Sequence, residues 1–191
     1  MNILALVNNV LFRSDNTPKV LAQAGFTLLR VVAGLAMIHN GLDKLEDIEG
    51  FAEAYVQVIG LPFPIFFSYV AALTELLGAP LLMLGLFTRP AALGLTSTML
   101  VAMYHHILVG GFNIAYLELS MIYASVFAFY AINGGGLFSV DTLISGLVHK
   151  LAGTTPVAQD AIVAAPIQQD EQTLEPVGAA KERATWGSYL R

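Results

Sequence analysis

Residues 90–117 read PAALGLTSTMLVAMYHHILVGGFNIAYL and carry no formal charge. A helix in a soluble bundle keeps a polar face for water, and this stretch leaves little to present. Pro90 suits a first helical turn, where its missing N–H costs nothing. Gly110-Gly111 closes the run. A membrane-crossing helix needs roughly 20 mainly apolar residues, so the run from Pro90 to about Val109 reads as one span. The alternative is a soluble all-helical bundle with buried helices, and the missing polar face argues against it.

Three more stretches qualify on either side. They run from about Leu21 to Leu42, Phe63 to Phe87 and Ala115 to Ile132. Pro62 and Pro64 mark the start of the second span, and Asn133-Gly134-Gly135-Gly136 ends the fourth. Between the first two spans, Phe51, Tyr55 and Ile59 recur every four residues, with Glu49 and Glu53 on other faces. That pattern predicts a short amphipathic helix at the membrane surface. The expected fold is all-α, a four-transmembrane-helix bundle with a short interfacial helix between spans 1 and 2.

The composition of the 191 residues agrees. Hydrophobic residues make up 56% and charged residues 12%, where a soluble domain carries about 25% charged. The net charge of -5 is not a nucleic-acid footprint. Cysteine is absent, which removes disulfides, thiolate metal sites and cysteine nucleophiles together. The sequence contains no phosphate loop, HExxH or nucleophile elbow, and no metal site is expected.

The chain reads as three segments. Residues 1–20 form an N-terminal segment in which Ile3, Leu4, Val7, Val10 and Leu11 share one helical face, as an interfacial helix would. It lacks a leading positive charge and a small-residue cleavage site, so it does not read as a signal peptide. Residues 21–145 are the membrane domain. Residues 146–191 are expected to be a flexible soluble tail, rich in Ala, Pro, Gln, Glu and Thr from Gly153 onward. The tail ends near the sole tryptophan, Trp186, and reads as a free terminus. Arg13, Lys19, Arg89 and Lys150 fall on one side of the four spans, with Lys44 alone on the other. The positive-inside bias then puts both termini in the cytoplasm.

The ionisable groups inside the spans are the candidate site. Arg30 and Glu75 fall near mid-span on antiparallel neighbours. At 1.5 Å per residue, Glu75 lies ~18 Å below the outer end of its helix and Arg30 ~13 Å above the inner end of its own. Each would cost about 2.5–3.5 kcal/mol unpaired at a helix centre, so the pattern predicts that they face each other. Arg30, Gly34, Met37, Gly41 and Lys44 form one stripe, and His39 lies about 180° from Arg30. His39 shares a face with Asp43. In the third span, His105 is expected to face the interior, on the stripe of Gly94, Thr98 and Ala102. In the fourth, Glu118 shares a stripe with Met121, Ile122 and Ser125, where it would face His105 or Lys44, or simply complement a helix N-terminus. Pro80 frees a carbonyl close to Glu75, and a kink there would open space. The candidate polar site is therefore Arg30, His39, Lys44, Glu75, His105 and Glu118. His39 and His105 are the candidate cofactor contacts. Two such histidines at similar depth can ligate a haem iron, but one pair is a weak signal and haem is not expected.

In their order and spacing these residues resemble the DoxX family of small bacterial four-span membrane proteins. The resemblance rests on Leu28-Leu29-Arg30, then His39, Gly41, Leu42, Lys44 and Leu45. It continues with Ala71-Ala72-Leu73-Thr74-Glu75-Leu76-Leu77-Gly78, Gly85-Leu86-Phe87-Thr88-Arg89, Gly111, Tyr116 and Glu118. It covers roughly Leu21 to Leu143. Two departures are Asn40, standing between His39 and Gly41, and the doubled His105-His106. The resemblance implies a bacterial inner-membrane location and a redox-linked subunit of an oxidoreductase assembly. Quinone would be the acceptor, and a soluble or membrane oxidoreductase the partner. The alternative is a non-enzymatic scaffold, assembly factor or small-solute carrier. Four short spans make a small bundle, which fits self-association.

Overall fold

The computed structural model describes Val7, Leu11, Phe12, Ser14 and residues 19–151. The chain divides into two units, Met1–Thr155 and Pro156–Arg191, and the described residues all belong to the first. Most of the N-terminal interfacial segment, and the tail from 152 with Trp186, lie outside the described residues.

Among the described residues the regular structure is all helical, in the order α1 (Val20–Glu46), α2 (Ile48–Phe51), a π-helical turn (Ala52–Val56), α3 (Pro64–Leu84), α4 (Thr88–Gly110), α5 (Ile114–Asn133) and α6 (Val140–Leu151). α1, α3, α4 and α5 are each long and apolar enough to cross a membrane. They match the four expected spans to within a few residues at each end. α6 crosses the 145–146 boundary drawn from composition. Its signal was Ser139 ahead of Val140, whose hydroxyl accepts from Thr142 N at 3.3 Å, with Asp141 in the first turn.

Proline and glycine set the ends of α3. Pro64 occupies its first turn. Gly85 ends it in the left-handed conformation, φ 69°. Gly85 N donates to Leu82 O (3.0 Å) and Leu86 N to Leu81 O (2.9 Å), the paired bonds of a Schellman ending. α3 continues through Pro80 to Leu84 as one helix. Within the spans, Ser97 and Ser125 donate to the carbonyls four residues back, at 2.9 and 2.8 Å. Such bonds satisfy hydroxyls where no water can.

α1 packs antiparallel on α3, α4 on α5, and the two pairs meet along α3 and α4. Small residues bring α1 and α3 together: a Cβ on Gly34 would lie 3.1 Å from Ala79 O, and one on Gly41 would lie 3.1 Å from Leu76 N. Close backbone approach of this kind drives helix association in lipid. The apolar core gathers in one half of the bundle, from Ala33, Met37, Ala79, Leu82, Ala92, Leu95, Met99, Ala124, Phe127 and Tyr130. In the other half, the α2–π segment packs across α3, burying Ala52 and Val56. The apolar face formed by Phe51, Tyr55 and Ile59 lines a cavity there.

Candidate intramembrane site

Two buried polar clusters occupy opposite halves of the bundle. The first surrounds Arg30, which is 1% exposed. Its guanidinium donates to Gly135 O in a short contact and to Phe138 O at 2.8 Å. Gly85 and Gly135 make room, since a Cβ on either would strike the guanidinium. Asp141 accepts from Phe87 N (2.8 Å) and Thr88 N (2.9 Å), capping α4 where the helix dipole favours a carboxylate. Its own N–H donates to Gly85 O at 2.8 Å. Gln23 Oε1 accepts from Leu137 N (2.8 Å), and Tyr130 donates to Phe26 O. The 134–139 loop is thus tied to α1, and the start of α6 to the turn between α3 and α4.

The second cluster faces the cavity, which has a volume of about 970 Å³. Lys44 Nζ donates to Glu75 Oε2 at 2.6 Å and to Asn40 O at 3.2 Å. It also stands 5.4 Å above the centre of the Phe51 ring, a cation–π contact. Glu75 is 1% exposed. The same cavity is lined by His105, 8% exposed, whose Nε2 lies 3.1 Å from Ala54 O in the π turn. A carbonyl only accepts, so Nε2 carries the proton and Nδ1 is left as an acceptor in the neutral ring. Nδ1 is buried without a partner. The Tyr55 ring packs on His105 at 4.6 Å between centroids and on Phe51 at 4.8 Å. Half-buried His106 also lines the cavity. A π turn inside helical structure often marks a functional position, and here it leaves the Ala54 carbonyl for His105.

This arrangement corrects the expected pairing. Glu75 meets Lys44, not Arg30. The Gly34–Ala79 and Gly41–Leu76 contacts set the register of α1 on α3, which brings Arg30 level with Gly85. Gly85 lies ten residues past Glu75, a rise of ~15 Å. Both charges are still turned inward. Of the remaining candidates, Lys44, Glu75 and His105 share the cavity, while Arg30, His39 and Glu118 do not line it. His39 points outward and meets Asp43 at 3.4 Å, with 77% of its side chain exposed. The buried stripe of α1 is Arg30, Ala33, Gly34, Met37 and Gly41, which puts His39 on the opposite face. His39 and His105 therefore do not share a site. Glu118 is exposed because α5 packs through Leu117, Ser120, Ala124 and Phe127. Its stripe with Met121 and Ile122 faces outward.

The profile of the DoxX family matches residues 25–109, a segment that holds Arg30, Lys44, Glu75 and His105. Residues 25–109 are similar to the DoxX family. The chain is a multi-pass membrane protein in contact with the lipid bilayer. It is also similar to a Bacillus subtilis (strain 168) protein named "Putative oxidoreductase CatD", at 40% identity over 67 residues. That match covers 35% of this chain and 48% of the relative, so about half of the relative's length is spanned. No solved structure matches the chain. Within the DoxX segment, the leucine-leucine-glycine run after Glu75 supplies Leu76 and Gly78. Leu76 receives Gly41 of α1, and Gly78 receives Leu95 of α4. The Gly85-to-Arg89 turn supplies the Arg30 pocket and the capped start of α4.

Sequence reasoning missed Asp141 and the lining roles of Asn40 and Tyr123. Asp141 had a signal, in its place just after Ser139. Asn40 and Tyr123 had none, because nothing local says which helices enclose a void.

Proposed function

We propose that this chain is a redox-linked membrane subunit whose cavity binds the head of a lipophilic quinone. The observation that carries the reading is the Lys44–Glu75 ion pair in the wall of a cavity of about 970 Å³. The size suits a small organic ligand, for which pockets run to roughly 300–1,000 Å³. Aromatic walls at Phe51, Tyr55 and Tyr123 suit a flat ring. A bound quinone supplies two-electron, two-proton chemistry. The chain's own groups supply orientation and protons. Lys44 donates to a carbonyl, Glu75 gives or accepts a proton through Lys44, and His105 Nδ1 accepts from a hydroxyl once the side chains part slightly. His39, Glu118 and Arg30 are outside this scheme. With no cysteine in the chain, thiol-derived electrons would come from a soluble or membrane partner. The name of the Bacillus subtilis relative supports an oxidoreductase setting. The inner membrane, with Arg13, Lys19, Arg89 and Lys150 on the cytoplasmic side, is the location that fits these charges.

The test is purification in mild detergent followed by extraction of bound lipophilic molecules. A quinone is expected with the wild type and lost in Glu75→Gln at equal membrane accumulation. Loss of accumulation instead, with no quinone in either sample, would support the reading of this chain as a scaffold or assembly factor.

A further inference from the structure

The cavity is not sealed from the side. Thr74 of α3 and Gly94 of α4 touch, since a Cβ on Gly94 would lie 3.1 Å from Thr74 Cγ2. Below them Gly78 closes on Leu95, and the seam is shut. Above them, toward the π turn, Phe67 and Val70 of α3 and Ser97 and Val101 of α4 all line the cavity. Three of the four are also on the outer surface. Val70, 43% exposed, continues the lipid-facing stripe of Phe66, Leu73 and Leu77. Ser97 and Val101, the latter 46% exposed, continue that of Leu93, Leu100 and Tyr104. Residues that belong to both surfaces are the rim of an opening. This rim is apolar in effect, because the Ser97 hydroxyl is bonded to Leu93 O (2.9 Å) and that of Thr74 to Val70 O (2.6 Å).

By the same criterion a second rim runs along α1 and α5, where Asn40, Asp43, Tyr116 and Leu119 line the cavity and the last three are also exposed. The Asp43 carboxylate stands at that edge, half-exposed and near the end of α1. Drawing a hydrocarbon chain past a carboxylate strips the charge of its polar surroundings, which is costly. The α3–α4 rim asks for no such step.

We infer that the cavity takes its ligand sideways from the hydrocarbon through the α3–α4 seam. The ligand is then an amphiphile whose single hydrocarbon tail rests between Val70 and Val101 while its head meets Lys44 and Glu75. This rests on reading the cavity as a ligand site, and the experiment separates the two.

Full-length protein in lipid nanodiscs is titrated with a benzoquinone bearing a ten-carbon tail and with the same head lacking the tail. Ser97→Trp and Val101→Trp block the inferred seam, and Leu119→Trp blocks the other gap. Blocking the seam is expected to weaken the tailed probe about tenfold, the effect of ~1.4 kcal/mol, and to leave the head-only probe unchanged. Leu119→Trp should change neither. Equal weakening of both probes, or loss caused by Leu119→Trp alone, overturns the seam while leaving the cavity reading intact. Should the wild type bind neither probe, the proposed function fails, and the seam is decided without a ligand. The absence of native cysteine lets Ala102→Cys, inside the cavity, carry a single bimane label. Quenching by lipids with a nitroxide on the acyl chain, abolished by Ser97→Trp, supports the opening. No quenching in the parent protein overturns it.

Discussion

Among the described residues, buried Arg30 and half-buried Lys44 both turn into the bundle, and they are treated differently. Arg30 is enclosed: its two terminal nitrogens donate to the carbonyls of Gly135 and Phe138, and Asp141 stands nearby on the α4 cap. Lys44 lies beside a cavity, on a single carboxylate, one backbone carbonyl and an aromatic face. A planar guanidinium can satisfy several fixed acceptors at once, whereas an ammonium is a mobile point charge on a flexible stem. One half of the bundle is therefore built to stay shut, and the other has room for a head group. Charge in a membrane protein is a functional candidate by default, yet only the second of these two clusters faces open space.

Six variants break or sharpen that contrast. The largest effect is expected from Arg30→Met, which leaves two loop carbonyls and Asp141 without their cation. Removing one side of a buried charge cluster costs about 3–5 kcal/mol. Thermal unfolding in detergent should show the loss, along with reduced membrane accumulation. Next comes Glu75→Gln, which strands Lys44 and should cost up to about 3 kcal/mol. The double variant Lys44→Met/Glu75→Gln should regain most of that stability and still fail to retain a quinone. If instead the double variant binds as the parent does, the pair is structural only. Asp141→Asn keeps the shape of the α4 cap and loses its charge, a change of about 1 kcal/mol. It should lower the unfolding temperature without altering ligand retention, because the cap is at the closed end. The smallest effect belongs to His39→Ala and Glu118→Gln, whose side chains point outward. Both should leave unfolding temperature and retained ligand as in the parent, and a loss of ligand in either would move the site out of the cavity.

Much of the bundle was legible beforehand, and the reasons are local. Length, missing charge and the proline and glycine boundaries are properties of single segments, so four spans could be placed to within a few residues. The α1 stripe of Arg30, Gly34, Met37, Gly41 and Lys44 followed from 3.6-residue periodicity and held, with Lys44 at its half-buried end. So did the choice of His105 for the interior, on the stripe of Gly94 and Ala102. The stripe through Glu118 exists but faces outward rather than toward His105 or Lys44, because in a uniformly apolar span periodicity does not say which face meets protein and which meets lipid. Leu117 and Ser120 do that for α5, by contact with α4. The Arg30–Glu75 pairing failed for a different reason. Depth counted from the ends of two antiparallel spans assumes that those ends are level, and here Arg30, ten residues past the start of α1 at Val20, lies beside Gly85 at the very end of α3.

What the chain alone decides is its solvent and its segments: hydrocarbon around four helices, with the polar groups that must be turned inward. Which carboxylate each cation meets is settled only when helices dock. Glycines on α1 let its backbone settle against Ala79 and Leu76 at one register, and that register brings Lys44 to Glu75 and leaves Arg30 to the loop. Docking energies between apolar surfaces depend on shape across two helices at once, and no single segment contains that information.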